Sequence, residues 1–449
     1  MSYPGVVRET LVSLGDRLLW GMQTYGVSTE LFGATAYVGF NLALDPKVNY
    51  WYCDGVADDV QINAAVAYLV TLGGGSIVLE TGTYVLDAAV DLETEVMLIG
   101  QGRNTLLNGD ALLTGVHAIT ITSEDDCVVR DLSVQTQDGG GKTCHCIFVD
   151  DSSNRTLIQN VTIVDSDDNG IHIEGISQAD TRILNCNILG ADGHGIYVGM
   201  EVANAIYFLK VRDCRFTSMA GDAIHLEDGI DCEIFDNTFD TSIGGDGIEL
   251  VNSDDVTIEN NTMSGATGYD INISDAACDR TRVFNNILHG TGAGCINDVG
   301  TDTKTPEIFS VVVDPDTTLG KHPAVDLPDS ADTPVTFQIL VPLEFQELVT
   351  AHVIVAQTAT VASPDMQWST DVDFGKICAE EDYNTHTDAE TDQITAITQN
   401  DLECIDVSGS LTGLSVGDLV GFEFIRRATQ AGDTINDAAY YLGFRLRYV

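Results

Sequence analysis

Lysine is almost missing from this chain: 6 residues in 449, beside 14 Arg, 20 Glu and 49 Asp. The formal charge is −49 and the isoelectric point is near 4.1. With no basic patch anywhere, nucleic acid is excluded as a partner, and so is an acidic lipid surface. Long apolar runs are absent too. No stretch reaches the ~18 uninterrupted apolar residues of a membrane helix, so membrane insertion is not expected. The first residues, Met1-Ser-Tyr-Pro4, lack the basic and apolar regions of a secretory signal. The 11 cysteines are odd in number and scattered. Folding in a reducing cytosol with mostly free, buried thiols is therefore expected.

What is present is an ordinary core. The chain is 44% hydrophobic, which rules out reading the acid excess as disorder. At low ionic strength so much like charge repels itself. At molar salt the Debye length falls to ~3 Å and the repulsion is screened. Scarce Lys, abundant Asp and a normal core look like a protein from an extreme halophile.

Internal repetition is the strongest signal. Cys146-Ile-Phe-Val149, Gly170-Ile-His-Ile173, Gly195-Ile-Tyr-Val198, Ala223-Ile-His-Leu226, Gly247-Ile-Glu-Leu250 and Asp270-Ile-Asn-Ile273 share one pattern. Their isoleucines, Ile147, Ile171, Ile196, Ile224, Ile248 and Ile271, are 24, 25, 28, 24 and 23 residues apart. A second ladder keeps step: Asn160, Asn185, Asp213, Asp236, Asn260 and Asn285. Each unit holds short period-two runs between Gly, Asp, Asn and Ser turns, with no room for a useful helix. Such a unit cannot bury its apolar face alone. Stacked as coils of a parallel solenoid, the units place each Ile over the next, ~4.8 Å away. The Asn/Asp ladder then sits at corners, where side-chain amides bond to one another and to the turn backbone. Beside it, Cys186 and Cys214 read as small packed residues.

Upstream, Asp54-Gly-Val-Ala-Asp-Asp59 leads into an amphipathic helix near 58–72, then Gly73-Gly-Gly75, a strand, and Gly82-Thr-Tyr84. This block resembles the opening segment of the pectate-lyase-like superfamily of right-handed parallel β-helices, in which the helix covers the open end of the solenoid. The resemblance implies an all-β fold, a right-handed single-stranded parallel β-helix over 51–302. Many members of that superfamily are viral tailspikes or appendages, often homotrimers that bind or cut surface glycans.

Residues 1–50 precede the block. Val6, Val7, Leu11, Leu14, Leu18 and Leu19 fall on one helical stripe, read either as a helix packed on its own chain or as an attachment or oligomerisation element. Over 303–334 the repeat fades and Pro306, Pro315, Pro323 and Pro328 accumulate, which reads as a linker. Beyond it, alternating runs such as Val335–Val341, Ala351–Ala356, Asp418–Ile425 and Tyr440–Tyr448 suggest an antiparallel β-sandwich over 335–449. This end resembles sandwich domains that terminate phage and haloarchaeal-virus structural proteins.

Strand alternation sorts the coils into columns. Phe148, His172, Tyr197, His225 and Glu249 point outward, with Glu174 and Glu227 two residues further along. Rings beside carboxylates suit a carbohydrate-binding face, while a plain polar surface explains any single one of them. A column just before the strand contains His145, Asn169, His194, Asp222 and Asp246. Adjacent coils bring two carboxyl groups to the ~5 Å spacing used in retaining glycoside hydrolysis, which makes Asp222 and Asp246 candidates. Gly193-His-Gly195, one coil after Asp167-Asp168, resembles the paired aspartates and GHG motif of polygalacturonase-type hydrolases. That likeness implies catalytic roles for Asp167, Asp168 and His194. The upstream Asn-Thr-Asp and the downstream Arg-x-Lys of those enzymes are absent, and without a cationic clamp a polyuronate substrate is disfavoured. Cys144-His-Cys146 lacks the spacing of a structural zinc site. No calcium loop is present, so no metal site and no cofactor are assigned, apart from Ca²⁺ or other salt ions held at Asp-rich turns.

The expectation is a virion surface appendage of a virus of a halophilic archaeon. It would be synthesised in the host cytoplasm and exposed on the particle as a homotrimer. There it would contact other virion proteins and bind glycans of the host surface. The alternatives are a polysaccharide-degrading β-helix hydrolase or lyase and a purely structural virion protein.

Overall fold

The structure is a computed structural model of the chain. It describes residues 34–40, 49–136, 141, 143–175, 178–200, 205–240, 242–290, 292–311, 315–342, 345–358, 364–376 and 382–448. The apolar stripe of residues 6–19 lies outside these. The chain divides into two compact units, the first comprising residues up to 281 with 290–301, the second 282–289 with 302 onward.

The first unit is a parallel β-solenoid. One face stacks Val90–Leu92, Ile119–Thr122, Ile147–Asp150, Ile171–Gly175, Ile196–Met200, Ile224–Glu227, Ile248–Val251, Tyr269–Ile273 and Gly294–Asp298 in that order. The register pairs Ile147, Ile171, Ile196, Ile224, Ile248 and Ile271 in succession, as the repeat predicts, and adds Ile119 before them. All seven isoleucines are fully buried. A second face runs from Gly82–Val85 to Thr262–Met263, and a third includes Gly75–Leu79, Val96–Ile99 and, further along, Thr257–Glu259.

The Asn/Asp ladder has a backbone cause. Asn160, Asn185, Asp213, Asp236, Asn260 and Asn285 all have φ between 52° and 58°. This is the left-handed region that Asn and Asp tolerate better than other non-Gly residues. The expected amide stacking adds to it: Asn185 donates to Asn160 at 2.6 Å and Asn160 to Asp131 at 2.9 Å. In the neighbouring buried column, Cys214 N–H donates to Asn237 Oδ1 and Asn237 N–H to Asn261 Oδ1. Among the described residues ten cysteines are free thiols, nine of them buried.

The opening block folds around two buried acids. Asp58 accepts the amides of Gly55 and Val85, and Asp59 that of Asp87, tying the start of helix α1 (Asp59–Val70) to the end of the strand Gly82–Val85 and the residues after it. Gly75 is obligatory, because a Cβ there would lie 2.3 Å from the Ala34 carbonyl oxygen. Ala34–Gly39, expected to precede the solenoid, pairs in parallel with Gly75–Leu79, and Tyr50–Tyr52 pairs with it in turn. The solenoid sheet thus begins upstream of residue 51. No described helix is long and apolar enough to cross a membrane.

The second unit is an antiparallel sandwich. One sheet centres on Ala439–Tyr448 with Leu348–Gln357 and Glu403–Asp406; the other centres on Asp418–Arg426 with Thr333–Leu340 and Asp365–Lys376. Phe337 from one sheet meets Phe444 from the other at 4.8 Å within the buried core. The segment 303–334 is no linker. Glu307–Val311 and Val325–Leu327 pair with Ala439–Tyr448, and His322–Ala324, with Pro323 opposite Thr318, pairs with Thr317–Leu319.

Candidate functional site

On the isoleucine face, the residue after each buried Ile points outward. Register therefore stacks Phe148, His172, Tyr197, His225, Glu249 and Asn272 in one column, as the sequence predicts, and extends it back to Thr120. Two positions before each Ile runs the second column: His117, His145, Asn169, His194, Asp222, Asp246 and Tyr269.

The second column has a job in the architecture. In every coil from His117 to Asp246, the side chain accepts the backbone N–H of the next residue up the column. His117 Nδ1 accepts from His145 at 3.1 Å, His145 Nδ1 from Asn169 at 3.2 Å and Asn169 Oδ1 from His194 at 2.8 Å. His194 Nδ1 accepts from Asp222 at 3.0 Å, Asp222 Oδ1 from Asp246 at 2.7 Å and Asp246 Oδ1 from Tyr269 at 2.6 Å. His, Asn and Asp share a short-reach acceptor, which is why those types recur at the position. The Gly-His-Gly motif belongs to the same architecture. A Cβ at Gly193 would strike Asp168 and Asn169, and one at Gly195 would strike the Ala223 carbonyl. The pattern returns as Gly221-Asp-Ala223 and Gly245-Asp-Gly247.

These bonds fix the tautomers of the upper histidines. With its Nδ1 accepting, neutral His145 carries its proton on Nε2 and donates it to His172 Nδ1 at 2.7 Å. His172 Nε2 then lies 3.1 Å from Glu174 Oε2, off the line of a good hydrogen bond. Burial lowers His117 to about 4. Burial, then the neighbouring His172 and His117, lower His145 to about 2, and burial lowers His172 to about 4. The rings form a continuous ladder. His117 stacks on His145 at 4.5 Å and on Phe148 at 4.3 Å, His172 meets Tyr197 edge-on at 4.9 Å, and Tyr197 stacks on His225 at 5.0 Å. Burial, followed by the charges of Glu227 and Glu174, raises the Tyr197 phenol.

Two coils on, the chemistry changes. His225 Nδ1 lies 3.2 Å from Asp222 Oδ2 and 2.9 Å from Glu249 Oε2. Burial opposes the charge on His225, but these two hydrogen bonds outweigh it and raise the imidazole to about 9. Asp222 is held well below the usual carboxylate range: burial acts against this, and the His194 ring beside it, with hydrogen bonds from His225 and the Asp246 amide, prevails. Burial raises Asp246.

The expected acid pairs separate here. Asp222 and Asp246 come together, with oxygens of Asp222, Asp246 and Glu249 within 4.8 Å of one another. Asp167 is buried, its amide bonded to Thr136 Oγ1, while Asp168 is partly exposed, raised by burial, and 4.0 Å from His145 Nδ1. His194, Asp222 and His225 also present ligand atoms within 4.8 Å of one another, a grouping that could hold a metal ion. Sequence reading missed this trio because its members sit in two different columns. It also missed His117, although the 28-residue step from His117 to His145 repeats a spacing already in the ladder.

Fold and columns together define a parallel β-solenoid with a ring-and-carboxylate outer face. Residues 145–307 match the family of the right handed beta helix region. No curated protein matches the chain. Among solved structures, ORF18 of Geobacillus virus E2 is similar at 14% identity, covering 78% of this chain and 76% of that one with a TM-score of 0.39. Tailspike protein 2 of bacteriophage CBA120, in its enzymatically active domain, is similar at 12% identity, with 87% and 78% covered and a TM-score of 0.36. An alginate lyase from Paenibacillus sp. str. FPU-7 is similar at 15% identity, with 53% and 97% covered and a TM-score of 0.41.

Proposed function

We propose that the isoleucine face of the solenoid binds glycans, and that the chain serves as a surface appendage of a virus particle that attaches to the glycosylated surface of a halophilic archaeal host. The supporting observation is the ladder of His117, Phe148, His172, Tyr197 and His225, partly exposed rings in mutual contact over five successive coils and joined by the buried ring of His145. At ~4.8 Å per coil it extends over roughly 19 Å, enough for several sugar units. Ring surfaces receive sugar C–H groups, and the flanking Glu174, Glu227 and Glu249 accept sugar hydroxyls. The near absence of Lys and the resemblance of the opening block to appendage proteins support the setting. Homotrimeric assembly belongs to the same reading, and light scattering at molar NaCl tests it, a monomer counting against the appendage.

Binding of host surface glycopeptides at molar NaCl tests the central claim. Tyr197→Ala and Phe148→Ala are each expected to weaken it about fivefold, since removing a stacked ring costs about 1 kcal/mol per contact. Unchanged binding in both variants would refute the assignment.

A second reading, glycan hydrolysis, is favoured by one observation. Asp222 is held low and Asp246 high on adjacent coils, the division of labour that an acid and a nucleophile require. Release of reducing ends from host polysaccharide, abolished in Asp246→Asn, would support it. No release by the wild-type chain would remove it.

A further inference from the structure

We infer that His194, Asp222 and His225, completed by Glu249, form a binding site for one divalent transition-metal ion of the Zn²⁺ or Co²⁺ class. The inference goes beyond glycan binding and does not depend on it.

The donor atoms are already spaced for an ion. Zinc with nitrogen and oxygen ligands at about 2.1 Å, in tetrahedral array, sets ligand atoms about 3.4 Å from each other. Here His194 Nδ1 and His225 Nδ1 each lie 3.2 Å from Asp222 Oδ2, and Glu249 Oε2 lies 2.9 Å from His225 Nδ1. The arrangement is also anchored. Asp222 is nine-tenths buried, and its other oxygen, Oδ1, is committed to the Asp246 amide. That bond fixes the carboxylate and turns Oδ2 toward the two imidazoles. Ligands come from three consecutive coils, so the solenoid register itself sets their separation. Two imidazoles with two carboxylates select Zn²⁺ or Co²⁺ over Mg²⁺ and Ca²⁺, which take oxygen ligands. Loading the site uses the His194 Nδ1 lone pair that otherwise accepts the Asp222 amide, so the Asp222 amide reports occupancy.

The test uses the full chain at molar KCl, which suppresses loose binding of cations to surface acids. Co²⁺ is added, excess is removed by gel filtration, and retained metal and visible d–d absorption are measured. One ion per chain with the intense bands of a tetrahedral site is expected. His194→Asn and His225→Asn each place a residue already found in the same column, Asn169 and Asn272, and so keep the fold. Each should weaken binding by at least about 100-fold. Glu233→Gln, an acid on another face, should bind as wild type. Faster hydrogen exchange at the Asp222 amide on Co²⁺ addition is a second expected sign. Failure of the wild-type chain to retain the ion overturns the inference, and so does equal retention by the two histidine variants. Because no glycan is present, neither result touches the glycan assignment.

Discussion

Acidification should destabilise the solenoid through His145, and the size of the effect can be worked from its surroundings. His145 Nδ1 accepts the Asn169 amide and its Nε2 proton goes to His172, so a second ring proton has nowhere to go without breaking a buried hydrogen bond. The side chain is almost fully buried, and burial with two neighbouring imidazoles lowers it to about 2. The unfolded chain titrates near 6.5. Above that pH both states are neutral and the histidine contributes no pH dependence. Below it the unfolded state takes up a proton that the folded state refuses, so stability falls at about 1.4 kcal/mol per pH unit. Between pH 7 and pH 5 the loss from this one residue is about 2 kcal/mol. His145→Asn removes the titration and keeps the acceptor, since Asn169 performs the same role one coil on. Urea unfolding at molar KCl, followed at pH 7 and pH 5 for both proteins, isolates the term. Protonation of the many carboxylates cancels in the comparison. The wild type should lose about 2 kcal/mol more than the variant. Equal losses would refute the assigned tautomers and the neutral buried ring.

Other outcomes follow from the packing. Ile224→Ala should cost about 2–5 kcal/mol in unfolding free energy, because its neighbours Ile196 and Ile248 are fixed by register and cannot close the cavity. Arg426→Leu should cost about 3–5 kcal/mol, since the guanidinium and its partner Asp433 are both fully buried; the double change Arg426→Leu with Asp433→Leu should recover part of the loss. Thermal unfolding should move to lower temperature as KCl is reduced from molar to 0.1 M, where the Debye length grows to about 10 Å; a midpoint independent of salt would count against screening as the stabilising influence.

Legibility followed the repeat. The buried Ile column and the outward ring column were readable because side-chain alternation has period two and the coil length barely varies, so one aligned residue places all its neighbours. The Asn/Asp ladder was readable as a position, though its cause, a left-handed backbone, lies in dihedral angles that sequence does not print. Where the period breaks, reading failed. Ala34–Gly39 stands outside the recurrent pattern, yet it finds a partner in Gly75–Leu79 across the opening block. Pro-rich 303–334 reads as a linker because proline is a strand breaker, while Pro323 and Pro334 both stand in antiparallel pairs, opposite Thr318 and Ile425. The metal-capable trio was hidden for a different reason. It joins two columns diagonally across neighbouring coils, so no single spacing in the sequence announces it.

The scarcity of basic residues acquires a structural meaning from where they stand. A second left-handed corner recurs as Asp126, Arg155, Asp180, Phe208, Asp231, Asp255, Arg280 and Asp302, with φ between 53° and 59°. An unbroken run of aspartates there would set like charges ~4.8 Å apart, a repulsion of about 0.9 kcal/mol per pair even at the dielectric of water. Arg155 interrupts the run and reaches back one coil to Asp126 at 2.8 Å; Arg280 does the same to Asp255 at 2.7 Å. Arginine has no preference for a left-handed φ and costs about 1–2 kcal/mol there, so its place is explained by the acid it neutralises. Elsewhere Arg212 bridges to Asp236 and Arg215 to Asp240, each again one coil away. Corner geometry accepts Asn as readily as Asp, as the first ladder shows by mixing them. The backbone therefore favours an Asx residue, the choice of Asp over Asn creates the charge, and Arg155, Arg212, Arg215 and Arg280 stand where stacking would otherwise concentrate it.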